Sequence, residues 1–491
     1  MSTHVDVLII GAGLSGVGTA AHLRRAFPER SLAIVERRER VGGTWDLFRY
    51  PGIRSDADMY SFGFAFRPWK DSKVLADGPA IRDYIEQTAA DAGVLDLIRF
   101  GTRTTAASWS SEDAGWTVTV EDVASGRTEE ITCSFLVSCT GYYDQDGGHA
   151  PTFPGQERFG GQIVHPQHWP EDLDHTGRRV VVIGSGATAV TLVPAMAGQA
   201  EHVTMLQRSP SYVISLPAED KISGLLGRVL SDATVYRLGR ARNIALNRAI
   251  YLACRRWPEA SRKALLASVR RQVGPDVDMR HFTPRYMPWD ERLCAVPDGD
   301  LFAVLRDGSA SVVTDTIETF TETGIRLTSG QELEADVIVT ATGLELQMLG
   351  GIDLVVDGEQ RDFSRQMTYK ATLIEGVPNF GWVFGYTNAP WTLKSDIAAG
   401  YLVRLLRHLD EHGHDYAVPR DHGGHALDDG MLDTLQSGYV QRAKGLMPRQ
   451  GRSGPWQVRM HYGKDKRMLL SDPVDDGNLQ FGSARARVPS S

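Results

Sequence analysis

The sequence predicts an α/β fold with two Rossmann-like dinucleotide-binding domains, the second carrying a helical insertion. Three observations support this prediction. A short apolar strand runs into a glycine-rich turn and a helical pattern near the N-terminus, and the same succession recurs from Arg179. The length of 491 residues also exceeds one hydrophobic core. The predicted domain limits are 1–145 for the first part of the first domain, 146–345 for the second domain with an insertion at about 220–275, 346–450 for the return to the first domain, and 451–491 for a C-terminal tail.

The composition narrows the possible functions. A formal net charge of -8 argues against nucleic acid as a partner, because phosphate binding needs a basic face, and favours small-molecule substrates. The cysteines have no C-x-x-C spacing, which favours a reducing cytoplasm, and we expect no metal site. No basic leader precedes the first strand, and no stretch reaches the roughly 18 apolar residues of a membrane-spanning helix. The sequence therefore predicts a cytoplasmic protein.

The first glycine-rich turn lies between a predicted strand at residues 5–10 and a predicted helix at 17–26. Its G-x-G-x-x-G spacing lets a pyrophosphate approach the helix N-terminus closely. The next strand, residues 31–35, ends at Glu36, whose carboxylate can accept hydrogen bonds from ribose hydroxyls but would repel a 2′-phosphate. FAD is therefore favoured over NADPH at this turn. The predicted contacts from the turn are Gly11, Gly13, Ser15 and Gly16.

The second turn follows a predicted strand at residues 179–183 and has the accepted variant G-x-G-x-x-A. The strand at 202–206 then leads to Arg208, at the depth where the first domain has Glu36. A guanidinium there can pair with a 2′-phosphate through two hydrogen bonds, so we assign this domain to NADPH. The predicted contacts are Ile183, Gly184, Ser185, Gly186, Ala187, Thr188, Ala189, Gln207 and Arg208.

Two further segments carry complete signatures. Residues 159–170 read F-x-G-x-x-x-H-x-x-x-W-P, and residues 42–56 read G-G-x-W-x-x-x-x-Y-P-G-x-x-x-D. Both resemble the signatures of the Baeyer-Villiger monooxygenases, which are class B flavoprotein monooxygenases. Over nearly its whole length the chain is most similar to the ethionamide-activating members of that family.

The resemblance implies roles for particular residues. The loop at 42–56 would line the flavin, and its Asp56 would hold the catalytic arginine, which aligns with Arg292. His165 is interpreted as a catalytic residue that couples domain movement to oxygenation rather than one that transfers protons. The remaining implied contacts are Thr44, Trp45, Asp46, Leu47, Asp56 and Thr104 for FAD, and Arg54 and Ser55 for NADPH.

The resemblance also implies a reaction. NADPH and O2 would be consumed, and a flavin C4a-peroxide would insert one oxygen atom into ketones to give esters or lactones, or oxygenate sulfides or thioamides. A guanidinium about 4 Å from the peroxide would contribute roughly 4 kcal/mol at an effective dielectric near 20, which favours the anionic, ketone-attacking form. The alternative is a flavin-containing N- or S-monooxygenase without ketone activity. A disulfide oxidoreductase would need paired cysteines, and a non-catalytic binding module would not need complete signatures.

Two segments depart from the expected pattern or leave alternatives open. Many relatives have lysine just before the catalytic arginine, where this chain has Glu291, so Arg208 must carry more of the phosphate recognition. Residues 221–271 contain twelve Lys or Arg against two acids in an otherwise acidic chain. This basic insertion is either a solvated helical cap over the site or a peripheral contact with an anionic membrane at the cytoplasmic face. Residues 60–69 are aromatic and predict either core packing or a pocket wall.

Overall fold

The computed structural model describes residues 3–291, 293–431 and 438–484. Arg292, the expected catalytic arginine, lies outside the described residues. In the first 148 residues the strands are β1 (Thr3–Ile10), β2 (Leu32–Val35), β3 (Ile98–Arg99), β4 (Thr102–Ser110), β5 (Gly115–Asp122), β6 (Thr128–Ser138) and β7 (Tyr143–Gly148). The helices there are α1 (Leu14–Ala26), α2 (Thr44–Leu47), α3 (Met59–Phe62) and α4 (Gly78–Asp91).

The middle of the chain forms the second domain and its insertion. Its strands are β8 (Gln162–Val164), β9 (Arg179–Ile183), β10 (His202–Gln207), β11 (Val213–Leu216), β12 (Cys294–Pro297), β13 (Ala310–Thr314), β14 (Ile317–Thr321), β15 (Gly324–Leu327), β16 (Glu332–Glu334), β17 (Val337–Thr340) and β18 (Leu344–Leu346). Its helices are α5 (Ala187–Ala197), α6 (Lys221–Leu226), α7 (Asp232–Arg256), α8 (Pro258–Val273) and α9 (Asp300–Arg306).

The last part returns to the first domain. Its strands are β19 (Asp353–Val356), β20 (Glu359–Gln360), β21 (Thr368–Tyr369), β22 (Leu373–Ile374), β23 (Phe380–Trp382), β24 (Tyr416–Pro419), β25 (Ala426–Gly430), β26 (Arg449–Gly451) and β27 (Leu479–Gly482). Its helices are α10 (Trp391–His412), α11 (Gly438–Arg442) and α12 (Tyr462–Leu470). Short 3-10 helices span Leu95–Leu97, Gln156–Arg158, Pro166–His168, Met279–Phe282, Met348–Gly351, Phe363–Arg365 and Gly454–Trp456.

Two sheets form the framework, and the expected α/β class is confirmed. The first runs β20-β19-β4-β5-β6-β1-β2-β3, with β23 also pairing β6, and it is parallel from β6 through β3. The second, β13-β10-β9-β17-β8, is parallel throughout. Each contains a strand, a helix and a parallel strand in succession, β1-α1-β2 in the first sheet and β9-α5-β10 in the second, so both glycine-rich turns lie at the carboxyl edge of a sheet.

The continuous apolar runs of the first strands follow from burial on both faces. In β1, Val7 and Ile9 enter one hydrophobic cluster, whereas Leu8 and Ile10 enter the cluster on the opposite face. The sequence pattern over residues 98–105 predicts one strand, and this prediction is wrong: the chain turns at Gly101, with φ +59°, between β3 and β4.

Helices dominate the insertion between β11 and β12. Among the described residues, no helix combines the length and apolar character needed to cross a bilayer. The described residues after 451, which end at 484, include α12, which packs on α10, and β27, which pairs with β24.

Candidate functional site

The first glycine-rich turn brings the N-terminus of α1 to the edge of the first sheet. Gly11 has φ +98°, and a Cβ built there would stand 2.7 Å from the Cys139 carbonyl oxygen. A Cβ on Gly16 would collide with the carbonyl of Gly11, so α1 reaches its close approach only with glycine. Gly13 is the N-cap and supplies no side-chain cap. The first-turn amides of α1 can therefore bind an anion.

Glu36 is buried beside this turn. Its carboxylate accepts hydrogen bonds from the backbone N–H of Ala12 at 2.7 Å and of Arg38 at 2.9 Å. Burial raises the pKa of Glu36, while these hydrogen bonds and Arg38 oppose the rise. Arg38 also donates to the buried Asp46 at 2.7 Å, which ties the end of β2 to the signature loop. A carboxylate held against the turn in this way fits a ribose-binding role.

The other residues expected around FAD lie on α1, α2 and β4. Ser15 Oγ accepts a hydrogen bond from Trp391 Nε1 at 2.8 Å, so the first residue of α10 contacts the turn. The Trp45 ring lies edge-on to Phe62, and the hydroxyl of Thr104 on β4 is buried without a hydrogen-bond partner. Leu47 is buried and Thr44 is exposed. Trp391 was not among the predicted contacts.

The second turn repeats the geometry of the first at the N-terminus of α5. Gly184 has φ +149°, and a Cβ there would collide with the carbonyl of Ala341. Gly186 is the N-cap, supplies no side-chain cap, and faces open space with nothing within 4 Å of a built Cβ. This open space beside uncapped amides fits a second pyrophosphate. Ile183 and Ala189 are buried below it, and Ala187 and Thr188 lie in the first turn of α5.

Residues at the end of β10 face in different directions. Gln207 is buried, and its Nε2 donates to the His281 carbonyl and to Thr314 Oγ1, each at 2.8 Å. Its side-chain amide is therefore hydrogen-bonded within the protein interior. Arg208 is exposed. Burial raises the pKa of Glu291, and the positive charge of Arg208 opposes that rise.

The signature loop at 42–56 leaves the first domain and contacts α5. Gly52 has φ +77°, and a Cβ there would stand 2.7 Å from the Cβ of Ala195. Tyr50 lies beside Thr188 of the second turn, and burial raises the pKa of Tyr50 to about 12. Arg54 pairs with Asp300 of α9 at 2.5 Å. The loop therefore connects both nucleotide turns.

Cys294 is the first residue of β12 and lies beside the second nucleotide turn. Burial raises the pKa of Cys294 to about 12, and the carboxylates of Asp56 and Glu291 add to the shift. The Cys294 thiol also lies 3.9 Å from the carbonyl oxygen of Ser185 in the second turn. The start of β12 therefore borders the second turn, within reach of the negative charge of Asp56. Asp56 is exposed, and Ser55 beside it is buried.

The joint at 159–170 packs against β7, the strand that leads from the first domain to the second. Gln167 Nε2 donates to the Asp144 carbonyl at 2.8 Å, and His168 Nε2 donates to the Asp146 carbonyl at 3.2 Å. The His165 ring occupies the position that a Cβ on Gly148 would take. These three contacts follow alternate residues of β7, which pairs with β18 where the chain returns to the first domain.

Among the described residues, no side chain forms a hydrogen bond with the His165 ring. Its Nδ1 accepts a hydrogen bond from the Gln167 N–H at 3.2 Å, and its buried Nε2 has no partner in the described part of the chain. Burial lowers the pKa of His165, and the backbone of Gly343 opposes this. A ring packed against β7 and beside the segment that leads into β18 fits a mechanical role better than acid or base catalysis.

The insertion is anchored to the first domain through α7. Arg240 is buried and donates to the carbonyls of Tyr60 at 2.8 Å and Gly63 at 2.7 Å, and it lies 3.6 Å from the carboxylate of Asp396 on α10. Tyr236 donates to the Phe64 carbonyl at 2.8 Å. The aromatic segment at 60–69 is therefore largely core packing beneath α7. Nothing in the sequence pattern singled out Arg240 among the twelve basic residues.

Comparisons with known proteins agree with these features. A model of the flavin-binding monooxygenase-like family matches residues 5–222. The chain is 62% identical over 488 residues to the FAD-containing monooxygenase MymA of Mycobacterium tuberculosis, covering 99% of each chain. It is 48% identical over 493 residues to the FAD-containing monooxygenase EthA of Mycolicibacterium smegmatis, covering 100% of each.

Solved structures show the same fold. A steroid monooxygenase bound to NADP matches with a TM-score of 0.76 and 24% identity, covering 98% of this chain and 100% of that one. An open form of cyclohexanone monooxygenase matches with a TM-score of 0.77 and 19% identity over the same shares.

Proposed function

Because the chain belongs to the flavin-binding monooxygenase-like family, we propose that this enzyme is an FAD-dependent Baeyer-Villiger monooxygenase. It uses NADPH and O2 to insert one oxygen atom into ketones, and it also oxygenates sulfides or thioamides. The observation that supports this most is that the flavin-side loop lies against the second nucleotide turn: Gly52 packs on Ala195 of α5, and the Cys294 thiol lies 3.9 Å from the carbonyl oxygen of Ser185. The nicotinamide side and the flavin side of the site therefore adjoin.

The residues that would hold the cofactors follow from the two turns. FAD would lie at the N-terminus of α1, with Glu36 toward its ribose and Trp45, Asp46 and Thr104 along its length. NADPH would lie at the N-terminus of α5, with Arg208 toward its 2′-phosphate. When bound, the reduced flavin supplies the activation of O2, and NADPH supplies the electrons. The uncapped amides of both helices would stabilise the two pyrophosphates.

The chain's own residues would control charge and movement. Arg292 would favour the deprotonated state of an oxygen atom bound near it, and Asp56 would orient that guanidinium. His165 would couple the position of the second domain to the flavin site, since its ring lies against Gly148 of β7 and beside Gly343, the residue before β18. The buried Val164, Pro166 and Gln167 of the joint would also help to exclude water.

The direct test offers FAD-loaded protein NADPH, O2 and a panel of linear ketones, sulfides and amines. We expect esters from ketones and sulfoxides from sulfides, identified by mass spectrometry. Arg292→Ala should still reduce its flavin under anaerobic conditions but should form no ester. Sulfoxides or N-oxides without any ester would instead support an N- or S-monooxygenase. Ester formation by Arg292→Ala at the wild-type rate would contradict the proposed role of this residue.

Cofactor selectivity should depend on Arg208 and its opposing carboxylate. Arg208→Ala should lower the preference for NADPH over NADH by about ten- to a hundredfold, since a hydrogen bond to a charged group contributes about 1.5–3 kcal/mol. Glu291→Gln should raise that preference, because it removes the carboxylate that competes with the phosphate for Arg208. The ratio of kcat/KM values for the two nucleotides measures both effects. Equal selectivity in all three proteins would remove Arg208 from phosphate recognition.

The insertion also has the surface expected of a peripheral membrane contact, which we propose as a second feature of this enzyme. Of the eleven exposed large hydrophobic side chains among the described residues, eight belong to it: Ile222, Leu225, Val229, Leu230, Leu238, Leu246, Leu252 and Trp257. Apolar side chains flanked by many arginines suit an anionic bilayer.

Co-sedimentation with vesicles tests this contact. The protein should pellet with vesicles that contain anionic lipid and less with neutral ones, and replacing Ile222, Leu225 and Val229 with serine should weaken pelleting. Val123→Ser is the matched control, since Val123 is 51% exposed outside the insertion. If pelleting is the same with anionic and neutral vesicles and is unchanged by these substitutions, the membrane contact is wrong and the insertion is a solvated cap.

A further inference from the structure

Helix α7 is fixed to the first domain near its N-terminal end. Arg240 holds the carbonyls after α3, and Asn243 donates to the carboxylate of Asp58 at 2.7 Å. Gly239 lies against the ring of Tyr60, where a Cβ would stand 3.1 Å from the nearest ring carbon. This end of α7 therefore cannot move without disturbing the first domain.

The other end of α7 holds the loop at residues 286–291. Arg255 pairs with Asp290 at 2.9 Å. The ring of Tyr251 meets the ring of Trp289 edge-on, with 5.4 Å between centroids. Trp289 has φ +72°, which is unfavourable for a residue with a Cβ and persists only where neighbours hold it. From Arg240 to Arg255 the helix spans about 22 Å at 1.5 Å per residue.

The same loop borders the second nucleotide turn. Tyr212 donates to the carbonyl of Tyr286 at 2.8 Å at the start of the loop. Cys294, just beyond its end, lies against the carbonyl of Ser185. The loop is therefore held between α7 on one side and the second nucleotide turn on the other. Its Glu291 is near enough to Arg208, the arginine expected to bind the 2′-phosphate, for their charges to interact.

We propose that α7 is a strut that fixes the loop at 286–291 against the second nucleotide site, with Arg255 and Tyr251 as positioning residues for NADPH binding. The first domain holds one end of the strut, and the loop depends on the other. Removal of either contact lets the loop relax and weakens the nucleotide complex without altering the turn that binds the pyrophosphate. This role rests on the proposed function only in taking NADPH as the ligand.

The test compares Arg255→Ala with Arg256→Ala in the FAD-loaded protein. Arg256 is the next residue on the helix, but its guanidinium lies over the Trp257 ring, 5.9 Å from the centroid, so it is a matched control. We expect Arg255→Ala to weaken NADP⁺ binding, measured by calorimetry, by about three- to fivefold, which is what a partly exposed ion pair allows. The KM for NADPH should rise by the same factor while kcat stays unchanged. Arg255→Lys should retain most of the affinity.

Tyr251 gives an independent second arm. Tyr251→Ala should weaken NADP⁺ binding, whereas Tyr251→Phe, which keeps the ring against Trp289, should not. Thermal denaturation should show similar midpoints for all these variants. If Arg255→Ala and Tyr251→Ala bind NADP⁺ as tightly as the wild type, the strut proposal is wrong. If the wild type itself does not bind NADP⁺, the proposed function fails instead.

Discussion

Gly148→Ala is expected to uncouple NADPH consumption from oxygenation. The added methyl group would occupy the position of the His165 ring, so either the ring or β7 must move. Overpacking of this kind costs about 1–3 kcal/mol, equivalent to a five- to hundredfold change in an equilibrium that the joint controls. The flavin should still be reduced by NADPH, but the yield of product per NADPH should fall and hydrogen peroxide should be released. Oxygen uptake, peroxide and product measured together give the coupling ratio.

The neighbouring glycine supplies the control for this prediction. A Cβ on Gly147 would meet nothing within 4 Å, so Gly147→Ala should keep normal coupling. His165→Ala should uncouple like Gly148→Ala, and the double variant should be no worse than His165→Ala alone, because the clash disappears with the ring. Normal coupling in Gly148→Ala would show that the joint tolerates a displaced histidine and is only packing.

Local features predicted the framework of the fold. Each glycine-rich turn follows an apolar strand and precedes a helix, and this order in the sequence is enough to predict that the turn lies at the edge of a sheet. The predicted α/β class is confirmed. Gly101 shows the limit of such reasoning. Its neighbours continue a strand pattern, and only the tertiary pairing of β3 with β2 and of β4 with β5 reveals the turn between them.

The sequence pattern did not predict which distant segments contact each other. The sequence predicted that Gly52 belongs to a flavin-side loop, yet its approach to Ala195 depends on how the two domains pack. Likewise, the joint was recognisable from its signature, but its hydrogen bonds to alternate residues of β7 depend on the tertiary fold and could not be predicted from the sequence. The roles of Asp56, His165 and Arg292 stay predictions until the variants are measured.

Arg240→Ala is expected to be the most destabilising substitution in the insertion. It would leave the Asp396 carboxylate buried without the arginine, and the carbonyls of Tyr60 and Gly63 would lose their donor. Breaking a buried ion pair by removing one partner costs about 3–5 kcal/mol. We expect a lower midpoint of thermal denaturation and faster hydrogen exchange in α7. NADP⁺ binding should weaken too, since the strut loses its anchor.

Control variants separate the loss of the buried Arg240–Asp396 pair from the loss of one positive charge in the insertion. Arg237 lies on the same helix and only contacts Thr234 at 3.4 Å on the surface, so Arg237→Ala should change stability by no more than about 0.5 kcal/mol. Arg240→Met combined with Asp396→Asn should lose less stability than Arg240→Ala, because no unpaired charge stays buried, while Asn can still accept the hydrogen bond that Asp396 takes from Ala65 at 2.8 Å. Equal stability of Arg240→Ala and Arg237→Ala would mean that the other contacts of α7, such as those of Asn243 and Tyr236, are enough to hold it, and that the buried pair has no structural role.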